Sequence, residues 1–195
     1  MSRPQRAGLG EEAFADVLAA AKANAPWAFE RLYAELAPSV AGYLRLRGAD
    51  EPDDLTNEVM LGVFRGLSGF EGDAENFRSW VFTIAHRRMI DERRRRAVRP
   101  EADGHLDPDG PTGPQRSGGD VEQEALAGLG EGEVRRLLGQ LTDDQREVLL
   151  LRVVADLSVE EVAHLTGKQP GAVKMLQRRG LKTLRRLLER EGVTS

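Results

Sequence analysis

The stretch "LSVEEVAHLTGKQPGAVKMLQRRGLKTLRRLL", residues 157–188, decides the fold of this chain. Ser158 followed three residues later by Glu161 is the spacing of a capping box, in which hydroxyl and carboxylate each satisfy a free backbone N–H at a helix start. Val159, Val162 and Ala163 are the apolar positions of the short helix that follows, and Gly167 ends it. Pro170 then stands where the first residue of a second helix belongs, because its missing N–H is no loss there. Two helices separated by about three residues have helix-turn-helix spacing. At about 100° per residue, Lys174, Arg178, Lys182 and Arg185 share one arc with Arg179 and Arg186 at its edge, and Val173, Leu176, Leu184 and Leu187 face the other way. A helix packed along one side and lined with cations along the other suits a DNA major groove and its phosphate rims. Gln169, Lys174, Met175 and Arg178 lie in its N-terminal part and are the candidates for base edges, with Arg179, Lys182, Arg185 and Arg186 for phosphates. Lys168, Gly171 and Ala172 complete the DNA-facing set at the turn.

Upstream, Val134, Leu137, Leu138 and Leu141 at 0, 3, 4, 7 open a helical block that continues through "TDDQREVLLLRVV" (142–154). The N-terminal third is also helical in pattern. Trp27, Phe29, Leu32, Tyr33, Leu36, Val40, Tyr43 and Leu44 predict an amphipathic helix, or a pair broken at Pro38. A second helix is expected over about 54–67, with Asp53 as N-cap and Leu55, Val59, Val63 and Leu67 inward. A third begins near Asn76, with Phe77, Trp80, Val81 and Ile84 as its buried stripe, and ends in the arginine cluster of "DERRRRAVR" (91–99). Phe77, Trp80 and Phe82 are read as core residues rather than as a platform for stacked bases. No period-two alternation appears, so the expected class is all-α.

Between 98 and 132 there are twelve Gly or Pro residues, and from 101 to 133 nine acids face the single base Arg116. That composition cannot bury a core and reads as a linker. The expected organisation is a leader over 1–23, partly disordered but with a short Ala-rich helix over 11–23, a helical domain over 24–97, the acidic linker over 98–132, and the helix-turn-helix domain over 133–190. The net charge of −4 over 195 residues hides this segregation of basic helices from an acidic tether. Only 5% of residues are aromatic, so the cores rest on Leu, Val and Ala. With no cysteine there are no disulfides, thiolate nucleophiles or thiol-held zinc. The richest apolar run, "VLLLRVVA", is interrupted by Arg152 and too short to cross a bilayer. A reducing cytoplasm is the expected compartment, without membrane insertion.

Taken in order, "DDLTNEVMLGVFRGLSGF", "FRSWVFTIAHRRMIDERRRR" and the C-terminal block resemble the extracytoplasmic-function (ECF) class of bacterial sigma factors, within the sigma-70 family. The resemblance spans roughly 26–97 and 134–190. It implies that the N-terminal block is region 2, which binds the beta and beta-prime subunits of core RNA polymerase and opens the −10 promoter element, and that the C-terminal block is region 4, which reads the −35 element. Asp53, Asp54, Asn57, Glu58, Leu61 and Phe64 fall on the family's polymerase-binding helix, where Asn57 replaces the usual glutamine. Where the family often has asparagine this chain has Arg87, so the −10 set rests on charge and on the loop "SGFEGDAENF": Phe70, Asn76, Arg87, Arg88, Arg94 and Arg95, with Arg93 and Arg96 as further phosphate-binding cations. The family also implies an anti-sigma factor as regulator, and a linker that threads the polymerase; a plain flexible tether is the alternative for the linker.

Two other functions compete with that reading. His86, His105 and His164 are scattered, and no glycine-rich phosphate loop follows a strand, so neither a catalytic set, a metal site nor a cofactor is expected. The other rival is a stand-alone helix-turn-helix transcriptional regulator whose N-terminal block is a helical interaction domain; it would dimerise and bind a palindrome unaided.

Overall fold

The computed structural model describes residues 11–98, 130 and 132–190, and every regular element among them is helical. The expected disordered segment at residues 1–10 and, apart from 98, 130 and 132, the expected linker lie outside the described residues. The N-terminal body comprises α1 (Glu11–Lys22), α2 (Pro26–Arg47), α3 (Pro52–Gly66), a 3-10 turn (Leu67–Gly69) and α4 (Ala74–Val98). The C-terminal body comprises α5 (132–139), α6 (Asp143–Val153), α7 (Val159–Thr166) and α8 (Pro170–Arg190).

Three details of the N-terminal body differ from the sequence expectations, and of the two alternatives for α2 the single helix is the one found. Helix α1 is part of the bundle: Phe14, Val17, Leu18 and Ala21, at 0, 3, 4, 7, are buried, and the Phe14 ring lies 5.3 Å from Phe77. Helix α1, which precedes the expected start at 24, therefore packs with this body. Helix α2 runs unbroken through Pro38. Pro38 and Ala34, whose carbonyl loses its partner, are both on the exposed side, where water replaces the missing bond. Asp53 is not the cap of α3. Pro52 takes the first helical position and Glu51 precedes it, which puts Asp53 and Asp54 in the first turn, where carboxylates favour the positive end of the helix. Helix α4 starts two residues before Asn76, and Asp73 and Asn76 cap it reciprocally: Asn76 N–H donates to Asp73 Oδ1 at 2.8 Å and Asp73 N–H to Asn76 Oδ1 at 3.4 Å. Its inward positions are Phe77, Val81, Phe82, Ala85 and Met89, whereas Trp80 and Ile84 are half-buried.

In the C-terminal body the local signals correspond closely to the structure. Thr142 with Gln145 and Ser158 with Glu161 both form complete capping boxes. Gly167 ends α7 in the left-handed region at φ 68°, a conformation that costs glycine nothing. The apolar side of α8 includes a position that periodicity of large residues passes over. Gly180 is buried, and a Cβ there would stand 2.7 Å from Leu149 Cδ1 on α6. The two helices cross with backbone against side chain at that point.

The two bodies touch, and their buried residues form one continuous cluster. Gly42 of α2 faces Val154 just beyond α6, where a Cβ would be 3.8 Å from Val154 Cγ1. Beside this apolar contact, Glu147 of α6 lies 2.9 Å from His86 Nδ1 of α4 and 3.3 Å from a guanidinium nitrogen of Arg47 at the end of α2. Arg47 also donates to the Asp143 carbonyl at 3.4 Å, and Arg93 bridges back, donating to the Arg47 carbonyl at 3.1 Å and pairing with Asp143 at 3.6 Å. Burial pushes the Glu147 carboxyl up, but the contact with His86 and the charges of Arg47, His86 and Lys168 outweigh it and hold it below the ordinary carboxylate range. Burial, reinforced by Glu147, pushes the neighbouring Tyr43 hydroxyl far up, so it stays neutral.

Two outcomes follow for stability. Gly180→Val forces Leu149 out of its place and is expected to cost about 1–3 kcal/mol, read as a lower urea midpoint. Because the folded-state pKa of Glu147 is depressed, its contribution is complete above the ordinary glutamate range, about pH 4.3, and fades as pH falls through the lower folded value. The stability gap between wild type and Glu147→Gln, on the order of 1–3 kcal/mol, should therefore be present at neutral pH and close in acid, as measured by urea unfolding at a series of pH values.

Candidate nucleic-acid and polymerase interfaces

Helix α8 turns Val173 and Gly180 inward and leaves Lys174, Arg178, Arg179, Lys182, Arg185 and Arg186 exposed, none with an ion-pair partner among the described residues. An open groove runs along this face. Gln169, Gly171 and Met175 are exposed at its N-terminal end and Ala172 is half-buried. Lys168 differs from the other expected contacts: its ammonium is 3.0 Å from Asp144, which ties the turn to α6. Leu181, 48% exposed and at the edge of the cationic arc beside Lys174, was missed by the sequence reading. Its angle on the wheel, outside the apolar stripe, was the available signal.

On α4 the geometry sorts the arginines. At about 100° per residue, Asn76, Trp80, Arg87 and Arg94 share one narrow face and Arg95 flanks it, opposite the buried positions. That face extends over about 27 Å from Asn76 to Arg94, the length of roughly eight base pairs. Phe70 joins it by stacking on Trp80, with ring centroids 5.2 Å apart at 25°. Arg87, Arg94 and Arg95 are exposed and make no ion pair among the described residues. Arg88 turns toward Glu58 of α3 at 3.6 Å. Arg93 and Arg96 point elsewhere: Arg93 joins the contact between the bodies, and Arg96 pairs with Asp50 at 2.6 Å and Glu92 at 3.3 Å. A run of four arginines on a helix must point in four directions, so two of the four are held in ion pairs and two are not. Asn76 is partly committed as well, since it caps the helix.

Lys22 at the end of α1 donates to the Phe70 carbonyl, 2.6 Å away, and Phe70 and Phe77 meet edge to face at 5.0 Å. The candidate loop is thus braced from α1 and α4 together. Of the three aromatics read as core, Phe77 and Phe82 are buried, while Trp80 is half-buried on the cationic side.

Helix α3 carries a third face. Leu55, Thr56, Val59, Met60 and Val63 are buried, and Asp53, Asp54, Asn57, Glu58 and Leu61 are exposed on the other side, with Phe64 half-buried at its edge. Asp53 lies 3.4 Å from Arg45. Helix α2 widens this surface: the exposed Tyr33 hydroxyl donates to Asn57 Oδ1 at 2.8 Å, and Phe29 packs edge to face on Phe64 at 5.1 Å. Sequence periodicity had counted Trp27 and Tyr33 as core, yet both are exposed. Trp27 stands about 100° or more from the rest of the stripe, which an explicit wheel reveals.

Residues 32–99 match the sigma-70 region 2 family and residues 131–184 match sigma-70 region 4. The ECF RNA polymerase sigma factor ShbA of Streptomyces griseus is 34% identical over 137 residues, covering 70% of this chain and 71% of that protein. The chain belongs to the ECF sigma factors. BldN of Streptomyces coelicolor, also an ECF RNA polymerase sigma factor, is 32% identical over 174 residues, which are 86% of this chain but 63% of that longer protein. Among solved structures, the sigma factor RpoE in complex with the anti-sigma factor NepR from Bartonella quintana shares the fold, with a TM-score of 0.62 at 22% identity over 83% of this chain and 96% of that one. Sigma factors bind core RNA polymerase and promoter DNA, so this ECF factor is a transcription initiation factor. Among the described residues no helix is long and apolar enough to cross a membrane.

The sorting of α4 arginines has a measurable consequence. Replacing Arg87, Arg94 and Arg95 by Ala is expected to flatten the salt dependence of DNA binding by about 0.9 in log-log slope for each phosphate no longer neutralised. Arg93→Ala with Arg96→Ala should leave the slope nearly unchanged and lower the urea midpoint instead.

Proposed function

We propose that the chain is an alternative sigma factor with its work divided among three helix faces. Helix α8 reads the −35 element, with Lys168, Gln169, Gly171, Ala172, Lys174, Met175 and Arg178 nearest the bases and Arg179 and Lys182 on phosphates. The face of α4 with Phe70, Asn76, Arg87, Arg88, Arg94 and Arg95 holds and opens the −10 element, with the Phe70–Trp80 stack as the surface on which an unpaired base can settle at roughly 1–3 kcal/mol. The acidic and apolar face of α3, from Asp53 to Phe64, docks on core polymerase at its beta and beta-prime subunits. The bond-making chemistry belongs to the polymerase, and the chain acts with it in the cytoplasm.

One observation carries this reading. Each of the three helices is packed along one side and leaves on the other a patch of a single character, cationic on α8 and α4, acidic with an exposed Leu61 on α3. Two cationic ridges on separate bodies fit two stretches of one duplex, and a third face of opposite charge fits a protein rather than DNA. An anti-sigma factor is the proposed regulator. The RpoE–NepR complex is the precedent, and the exposed Tyr33 and Leu61 give such a protein apolar purchase on the same surface.

Transcription from a promoter library with purified core enzyme, with and without the chain, tests this division. Lys174→Ala with Arg178→Ala is expected to lose roughly 10- to 100-fold in promoter discrimination with core binding intact. Asp54→Ala with Glu58→Ala should do the opposite. Dimeric footprinting of a palindrome without polymerase would instead establish the stand-alone regulator.

A further inference from the structure

Helix α1 has no part in the three faces described above, yet it ends beside the loop that the α4 face needs. Residues 70–73, between the 3-10 turn and α4, have no regular structure and are held from several sides. The Phe70 ring stacks on Trp80 at 5.2 Å and meets Phe77 edge to face at 5.0 Å, and Phe77 in turn lies 5.3 Å from Phe14 of α1. These rings run in contact from α1, through the core, to the cationic side of α4. Gly72, at φ 147°, closes the loop so tightly that a Cβ would stand 3.2 Å from Phe70 Cζ and 2.9 Å from Asn76 Cβ. The backbone carbonyl of Phe70 is taken by Lys22, the last residue of α1, whose ammonium donates to it at 2.6 Å across 48 residues of sequence.

Beside this bond a cleft of about 300 Å³ opens between Phe14, Leu18 and Lys22 on one side and Gly72 and Asp73 on the other. A loop next to open space has room to shift, and the Lys22 bond spans the gap as a strut. Its anchor is firm, because Phe14, Val17, Leu18 and Ala21 bury the helix that carries it, while the lysine itself is exposed. A charged donor also makes a stronger bond to a carbonyl than a neutral one does. We propose that Lys22 is a positioning residue for promoter opening: from α1 it fixes the Phe70 carbonyl, and with it the Phe70–Trp80 stack, in the arrangement that receives an unpaired base. The inference rests on the base-capturing role given to that stack above.

The physical advantage is preorganisation. A segment that becomes ordered only when its ligand arrives loses conformational entropy at that moment, whereas a loop already held in place does not. Opening the −10 element sets the cost of unpairing a base against the gain from stacking it elsewhere, so a small change in the readiness of the stack moves the balance directly. The other steps use other surfaces. Core polymerase meets α3, the −35 element meets α8, and Arg87, Arg94 and Arg95 stand on a regular helix that does not need the loop for its shape. Lys22 gives its charge to a carbonyl rather than to a phosphate.

Holoenzyme assembled from core polymerase and the full chain tests this on a promoter selected from the library above, with permanganate reactivity of unpaired thymines around −10 as the measure of opening. Lys22→Met removes the donor and keeps the aliphatic stem. It is expected to lower the open-to-closed ratio roughly 2- to 10-fold, the effect of losing one hydrogen bond, with core affinity and the salt slope of DNA binding unchanged. Lys22→Arg, which can still donate to the carbonyl, should restore opening. Abasic nucleotides are then placed one at a time along the nontemplate strand of the −10 element. The wild-type advantage over Lys22→Met should hold at every position but one, where it vanishes, and Phe70→Ala should lose its defect at that same position; a general loss of folding would not single out one base. Opening by Lys22→Met equal to wild type, or a deficit that no abasic position removes, overturns the brace. A salt slope lower by about 0.9 puts Lys22 on a phosphate and overturns it as well. Phe70→Ala that opens the promoter like wild type overturns base capture by the stack and the brace with it, whereas a defect in Phe70→Ala with none in Lys22→Met removes the brace alone.

Discussion

Burial of one side of α8 against α6, at the point where Gly180 admits Leu149, is the contact on which the rest of the DNA-reading geometry depends. With the Val173–Gly180 side committed, the helical period leaves the cations no choice but to face outward. The same constraint operates on α3 and α4. Each functional face in this chain is the remainder left when a core takes the other side of an amphipathic helix. That economy suits a protein with few aromatic residues, whose cores are made mostly of aliphatic side chains packed between helices.

Charge is divided by direction rather than by type. The arginines at the end of α4 look alike in sequence, but a step of about 100° per residue sends Arg94 and Arg95 to solvent, Arg93 to Asp143 on the other body and Arg96 to Asp50 and Glu92. One cationic run thus leaves two charges to solvent, closes a helix junction and reaches across an interface. The acids are distributed with similar economy: Asp53 and Asp54 favour the start of α3, while Glu147 is withdrawn into the contact between bodies.

The contact between bodies is mixed in character. A dry apolar interface would hold the two reading ends together permanently, and a purely exposed one would not hold them at all. Apolar contact at Gly42 and Val154 beside a buried carboxylate with imperfect partners lies between these limits.

Much of this was legible in the sequence because the signals are local. Both helices of the helix-turn-helix, its capping box, its glycine turn and the outward cations follow from residues within a few positions of one another, and so does the all-helical class. The reading failed where the deciding neighbour is distant in sequence. Whether α1 packs, whether Pro38 breaks α2, which aromatics of α2 and α4 stay exposed, and that Asp53 yields the start of α3 to Pro52 depend on which side of a helix meets the core. Above all, nothing within a few residues of Glu147 indicates Arg47 or His86 as partners. Helical periodicity sets what one helix offers on each side, but which sides meet is decided by packing across a hundred residues of chain, where burial and ion pairing are settled jointly by elements that the sequence presents apart.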